Sequence, residues 1–319
     1  MIAELLASAL LGMTAPADDR GGVPDVQDPA SNQAVRLEDI QVTGRRLDSL
    51  IQDFVREVAA PNRGRGIARW DRSVCVGAVN LRQDAAQYVV DRVSTIAEDL
   101  GLSAGAPGCT PNILIVATSN GQELAQELVE RRRRALRMGG SGMDRGGAAL
   151  RDFQDADRPV RWWQVSMPVD SETGARATRI PGDCQDSCSS VFDVAPMINV
   201  SSASRLSTQI VDNIIRTIVI VDVDDVSHVD ATQLSDYVAM VSLAQIDPEA
   251  DTSAYASILN VLADPASASS LTEWDKAYLS GLYDAQRTRQ NVRAGTSEIR
   301  TSIRRAHARL SEAGASPTD

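Results

Sequence analysis

The chain has 319 residues, 43% of them hydrophobic, and a formal net charge of −11, with Lys276 as its single lysine. A chain of this length buries roughly 75% of its unfolded surface on folding, enough for one large core or two small ones. The acidic balance excludes the basic face that nucleic-acid binding requires, and the longest apolar runs are too short for a transmembrane span.

The N-terminus, "MIAELLASALLGMTAPADD", places an apolar segment from Leu5 to Met13 ahead of Ala15-Pro16-Ala17. This is the pattern of a secretory signal peptide, residues 1–17, cleaved after Ala17. The absence of a basic residue before the segment, and Glu4 ahead of it, run against the pattern. Residues 18–40 are polar, with Pro24 and Pro29, and predict a flexible leader. A single α+β domain is expected over 41–290, followed by a polar C-terminal helix and tail over 291–319.

Within the domain, Leu47, Leu50, Ile51, Phe54, Val55 and Val58 share one face of a helix at 47–58. "GIARW" and "SVCVGAVNL" read as strands, 84–100 as an amphipathic helix stopped by Gly101, and "NILIVATS" as a buried strand. A helix over 122–138 carries "ERRRRALR", whose arginines read as a solvated face. "GGSGMDRGG", 139–147, reads as a connection; it lacks the Gly-Lys-Ser/Thr of a phosphate loop. "RPVRWWQVSMPVD" predicts a strand near a sheet edge, with Trp162 and Trp163 on opposite faces. "MINVSSASRL" is a weaker strand candidate and "NIIRTIVIVDVDDV" the strongest. Helices are expected at 232–246, 255–262, 272–283 and 296–312.

Four cysteines, Cys75, Cys109, Cys184 and Cys188, allow three disulfide pairings. Cys75 lies in one strand-like run and Cys109 just before another, which favours Cys75–Cys109 and leaves Cys184–Cys188 to clip a loop. The rival, a structural zinc site, needs a second close pair or nearby histidines. Disulfides agree with export.

The C-terminal half carries a resemblance. "LSDYVAMVSLAQID" is followed by Ser257-Ile258-Leu259, then by Leu271-Thr272 with Asp275, Leu279, Leu282 and Tyr283. This order resembles the metal-binding helix, the turn beneath the metal and the closing helix of metzincin zinc peptidases. With "IARWDRSVCVGAVNL" and "GCTPNILIVAT", residues 40–290 also resemble a group of bacterial envelope proteins of unassigned activity. The resemblance implies a zincin-like mixed β-sheet with packed helices and a helical C-terminal part.

The catalytic residues do not carry over. Zinc peptidase chemistry needs two histidines at i and i+4, a third ligand and a glutamate base. Asp236 and Met240 stand at the two histidine positions and Tyr237 at the glutamate. Leu243 and Ile246 replace a glycine and the third ligand, and Leu259 the methionine. The chain has only two histidines, His228 and His307, neither placed to substitute. The helix reads instead as an apolar stripe of Leu234, Tyr237, Val238, Val241 and Ala244, widened by Met240 and Leu243. Asp275 and Tyr283 read as structural anchors of the closing helix.

Asp222, Asp224, Asp225 and His228 are candidates for an oxygen-rich cation site, weighed against solvated strand-end carboxylates. Asp230, with Gln233 three residues later, reads as a helix N-cap. The sequence thus points to a non-catalytic, zincin-like periplasmic or secreted protein that needs no cofactor and binds a protein or peptide partner. The alternatives are a hydrolase with an atypical carboxylate or cation site and a structural envelope component.

Overall fold

The computed structural model describes residues 44–62, 64–136, 145–177, 197–198 and 204–315. The expected signal peptide, the whole leader and the Cys184–Cys188 pair lie outside the described residues.

The elements run α1 (Gly44–Val58), β1 (Ser73–Val74), β2 (Val76–Val79), α2 (Gln83–Asp99), β3 (Ser103–Ala104), β4 (Ile113–Thr118) and α3 (Gly121–Leu136). They continue with α4 (Gly146–Asp155), β5 (Val160–Asp170), β6 (Ile210–Asp222), α5 (Ala231–Leu243), α6 (Glu273–Asp284) and α7 (Val292–Ala315). The fold is α+β. Its main sheet has the order β2-β4-β6-β5, with β5 antiparallel at one edge and the other pairings parallel. Parallel neighbours need long crossovers, and α2 and α3 fill that role.

Alternation along the strands sorts side chains to two cores. Ile113, Ile115, Trp162, Val219 and Val221 face α2 and α5, with α1, α6 and α7 completing that side. Trp163, Val165, Ile218 and Ile220 face α3 and α4. The two adjacent tryptophans therefore serve different cores, as their alternation requires.

Cys75 and Cys109 form a disulfide. Cys75 sits between β1, which pairs with β3, and β2, which pairs with β4; Cys109 lies in the β3–β4 connection. The strand pairings hold the two cysteines in place. Arg131 to Arg134 are exposed, the solvated face expected of that tract.

Four elements differ from the sequence reading. "GIARW" is no strand: Arg69 alone makes single backbone bridges to Asn213 and Ala244, wedged between β6 and the chain after α5. Residues 146–155, read at their start as part of a connection, form α4, which buries Leu150 and Phe153. The stretch 255–262 holds only a 3-10 turn at Ile258–Asn260. There the Asn260 amide donates to the carbonyls of Thr252 and Tyr255, so a side chain takes acceptors away from helix formation. The C-terminal helix begins at Val292 and belongs to the core through Ile299, Ile303 and Ala306.

Gly281 makes that last packing possible, because a Cβ there would collide with the Ile303 backbone. Replacing Gly281 with Ala should force α6 and α7 apart and cost about 1–3 kcal/mol in urea unfolding. An unchanged midpoint would show that the helices do not cross at this contact.

Candidate functional site

The resemblance directs attention to α5. From Ser235 to Leu243 this helix is buried on every side; Gln233 is buried too, whereas Ala231 is exposed and Thr232 and Leu234 are half-buried. A helix with an apolar surface all round is a core helix, and both of its ends still need hydrogen-bond partners.

At the N-terminal end, the Asp230 carboxylate accepts from the amides of Thr232 and Gln233, while Gln233 Oε1 accepts from the Asp230 amide. Gln233 also donates to the carbonyls of Pro265 and Ala268. At the other end, side chains from three separate regions cap the carbonyls. Gln164 of β5 donates to Val241 O at 3.0 Å and Ala244 O at 2.9 Å. Trp70 Nε1 donates to Ser242 O at 2.9 Å, and Tyr283 Oη to Leu243 O at 2.8 Å. Trp162 Nε1 reaches Ile246 O at 3.1 Å. Burial pushes the Tyr283 hydroxyl well above its ordinary range, so it remains a donor. Ala244–Ile246, expected as helix, are extended because they bridge to Arg69 and Ala59.

Asp236, at the first histidine position, has no accessible surface. Its Oδ1 accepts from Arg92 Nε at 2.6 Å and its Oδ2 from Arg92 Nη2 at 2.9 Å; Oδ2 also accepts from the Leu271 amide at 2.7 Å. The two-pronged contact from α2 gives the carboxylate the geometry in which guanidinium pairs are strongest. The pair holds the Arg92 guanidinium above its ordinary value. Met240 is wholly buried, Ile246 is 2% exposed, and the Tyr237 ring packs edge-on against Trp162. Leu259 packs against the same core. Ile246 lies beyond the end of α5. Asp236, Met240 and Ile246 are therefore buried groups rather than the floor of an open cleft.

The stripe read from the sequence is thus broader than expected, and it contains one ion pair. Arg92 was missed. A buried aspartate in an apolar helix demands a cationic partner, which is a legible signal, but nothing local selects one arginine.

Asp275 is also fully buried. It accepts from Ser257 Oγ at 2.6 Å, the Ile258 amide at 2.8 Å, and the Thr272 amide and hydroxyl. Desolvation pushes its carboxyl up, opposed by these donors. These bonds anchor the start of α6 to the 3-10 turn.

The candidate cation site dissolves on inspection. Asp222 accepts from the Gly121 amide at 2.8 Å, so it caps α3, and Oδ1 accepts from the Asp224 amide. Asp224 and Asp225 are exposed, and His228 Nε2 meets the Leu262 carbonyl at 3.0 Å. Among the described residues, no three His, Cys, Asp or Glu groups are placed to hold a metal ion. His307 lies on α7, where burial lowers its pKa against an opposing effect of Glu273.

Beside β5 lies a slot of about 20 Å³, lined by Arg145, Phe153, Trp162, Gln164 and Ile246. A 2.9 Å ion pair between Arg145 and Asp247 bridges its neighbourhood. Comparison with known proteins adds no relative: no family model, curated protein or solved structure matches the chain.

Partial exposure makes the ion pair asymmetric, because the Arg92 side chain is 36% accessible and Asp236 not at all. Arg92→Met strands a buried carboxylate and should cost about 3–5 kcal/mol. Asp236→Leu frees an arginine that can turn to water and leaves one amide unpaired, about 1–3 kcal/mol. The double variant should be more stable than Arg92→Met alone. Urea unfolding of the three chains checks the order, and equal single-variant costs would contradict it.

Proposed function

We propose that the chain is a non-catalytic binding protein on a zincin-like scaffold, working in the periplasm or outside the cell with a protein or peptide partner. Asp236 carries the non-catalytic part of this reading. At the position of a metal-binding histidine stands a carboxylate already held by Arg92 and Leu271, in the part of α5, residues 235–243, that is buried throughout. Among the described residues it joins no group of His, Cys, Asp or Glu that could hold a metal ion.

Three features support the scaffold. Helix α5 ends at Leu243, where the resemblance expects a glycine. The turn at Ile258–Asn260 packs against α5 and is tied to the closing helix by Asp275. The sheet ends in an antiparallel edge strand, β5. Zincins hold substrate as a strand added at a sheet edge, a mode of recognition that does not itself require a metal. In this reading a partner peptide adds to β5 and displaces the Arg145–Asp247 pair. Export is supported by the Cys75–Cys109 disulfide, and no helix among the described residues is long and apolar enough to cross a membrane. The hydrolase alternative at Asp222, Asp224, Asp225 and His228 loses support because Asp222 serves as a helix cap.

Metal analysis of the purified protein, paired with a peptidase assay on unstructured substrates, tests the reading. The expected outcome is no stoichiometric divalent metal and no cleavage, with or without added zinc. Zinc bound one-to-one and lost in Asp236→Ala would overturn it. In-cell crosslinking from β5 tests the partner, and crosslinks confined to a rigid envelope assembly would favour the structural alternative.

A further inference from the structure

A cavity of about 330 Å³ lies away from α5, between the 64–69 segment, the start of β6, the α6–α7 connection and the first turns of α7. Four guanidinium groups line it: Arg65, Arg69, Arg287 and Arg289. In a chain of net charge −11 such a cluster cannot follow from average composition.

Their compensation is uneven. Arg65 pairs with Asp212, Arg287 with Asp71 and Arg289 with Glu298. Arg69 forms no ion pair among the described residues. Its Nη1 donates to the carbonyls of Leu282 and Tyr283, and its guanidinium carbon lies 5.4 Å from the centre of the Tyr283 ring. Among the described residues Nε and Nη2 make no hydrogen bond. Arg69 is thus the one of the four without an ion-pair partner among the described residues, although Asp71 and Asp284 lie near enough to act on it.

Two further effects have the same sign. Burial, and then the nearby Arg287, depress Arg69 to about 10, while burial alone takes Arg65 to about 10. For Arg69, which has no ion pair among the described residues, Tyr283, Asp71 and Asp284 offset this only in part, and a bound anion would add the remaining counter-charge. The first turn of α7 also faces the cavity through Val292, Gly295 and Thr296, bringing the positive end of a 24-residue helix. The wall also carries the apolar side chains of Ile67, Ile210, Leu282 and Ile299, alongside polar ones such as Asp212, Gln286 and Gln290.

We propose that this cavity binds a small organic carboxylate with an apolar tail, its carboxylate held by Arg69 beside Arg289 and its tail against Ile67, Leu282 and Ile299. A singly charged group matches the one guanidinium without an ion-pair partner among the described residues, whereas a phosphate dianion would leave excess negative charge. A free organic acid and the C-terminal carboxylate of a peptide share this chemistry. The proposal does not depend on the zincin-like reading.

The test is calorimetric titration of the full mature chain with hexanoate, hexanamide, inorganic phosphate, and N-acetyl-Ala-Leu as free acid and as amide. Two variants accompany it. Gly295→Leu builds a side chain where a Cβ meets nothing within 4 Å, so it should fold and fill the cavity. Arg69→Met removes this guanidinium but also an α6 contact, so its unfolding midpoint is measured alongside.

At least one of the two acids should bind about tenfold or more tightly than its amide, weaken with added salt, and lose binding in Gly295→Leu while the unfolding midpoint holds. The tighter acid identifies the source: the dipeptide points to a chain terminus, hexanoate to a free acid. Equal binding of acid and amide, failure of both acids, binding that survives Gly295→Leu, or phosphate tighter than both acids would each overturn the proposal.

Discussion

A helix buried throughout residues 235–243 is the constraint around which this molecule is organised. The backbone groups at its buried C-terminal end must find partners inside the protein, since water cannot serve there, while the N-terminal end, exposed at Asp230 and Ala231, is capped at the surface. The chain meets this with side chains drawn from far apart in sequence. Trp70, Trp162, Gln164 and Tyr283 close the C-terminal end. Asp230 and Gln233 close the other, and Gln233 ties it to the loop before α6. Each cap also fixes a neighbouring element, so the pre-β1 segment, the edge strand and the closing helix are registered against one axis.

Within that frame Asp236 and Arg92 stand out, because apolar residues would meet the packing requirement at lower electrostatic cost. Buried ion pairs are weak evidence for stability but well suited to fixing a register. Here the pair joins α2 to α5, and the same carboxylate holds Leu271 at the entrance to α6. Tyr237, Met240, Leu243 and Ile246 supply close packing without further polar demands.

Much of the fold was legible in the sequence. Long, strongly periodic stretches such as α1, α2 and β6 declared themselves, and Trp162 and Trp163 were legible as opposite faces of a strand, though not that both faces are covered. Elements decided by side-chain hydrogen bonding were not legible. The apolar spacing of 255–262 suggested a helix, yet Asn260 and Ser257 capture backbone groups that a helix would need. In α7 the stripe Ile299, Ile303, Ala306 was present at helical spacing and was outweighed by surrounding arginines. At the candidate site, the loss of histidines could be read directly. The identity of Arg92 as partner, and the use of Asp222 as a helix cap, depend on contacts 144 and 101 residues apart in sequence.

Native-state hydrogen exchange on the α5 amides is the most direct measurement of whether this helix is a sealed core element. The account predicts that amides of residues 235–243 exchange only through global unfolding, at one common free energy that a strong chelator leaves unchanged. Rapid exchange along α5, or protection that collapses when metal is stripped away, would contradict it.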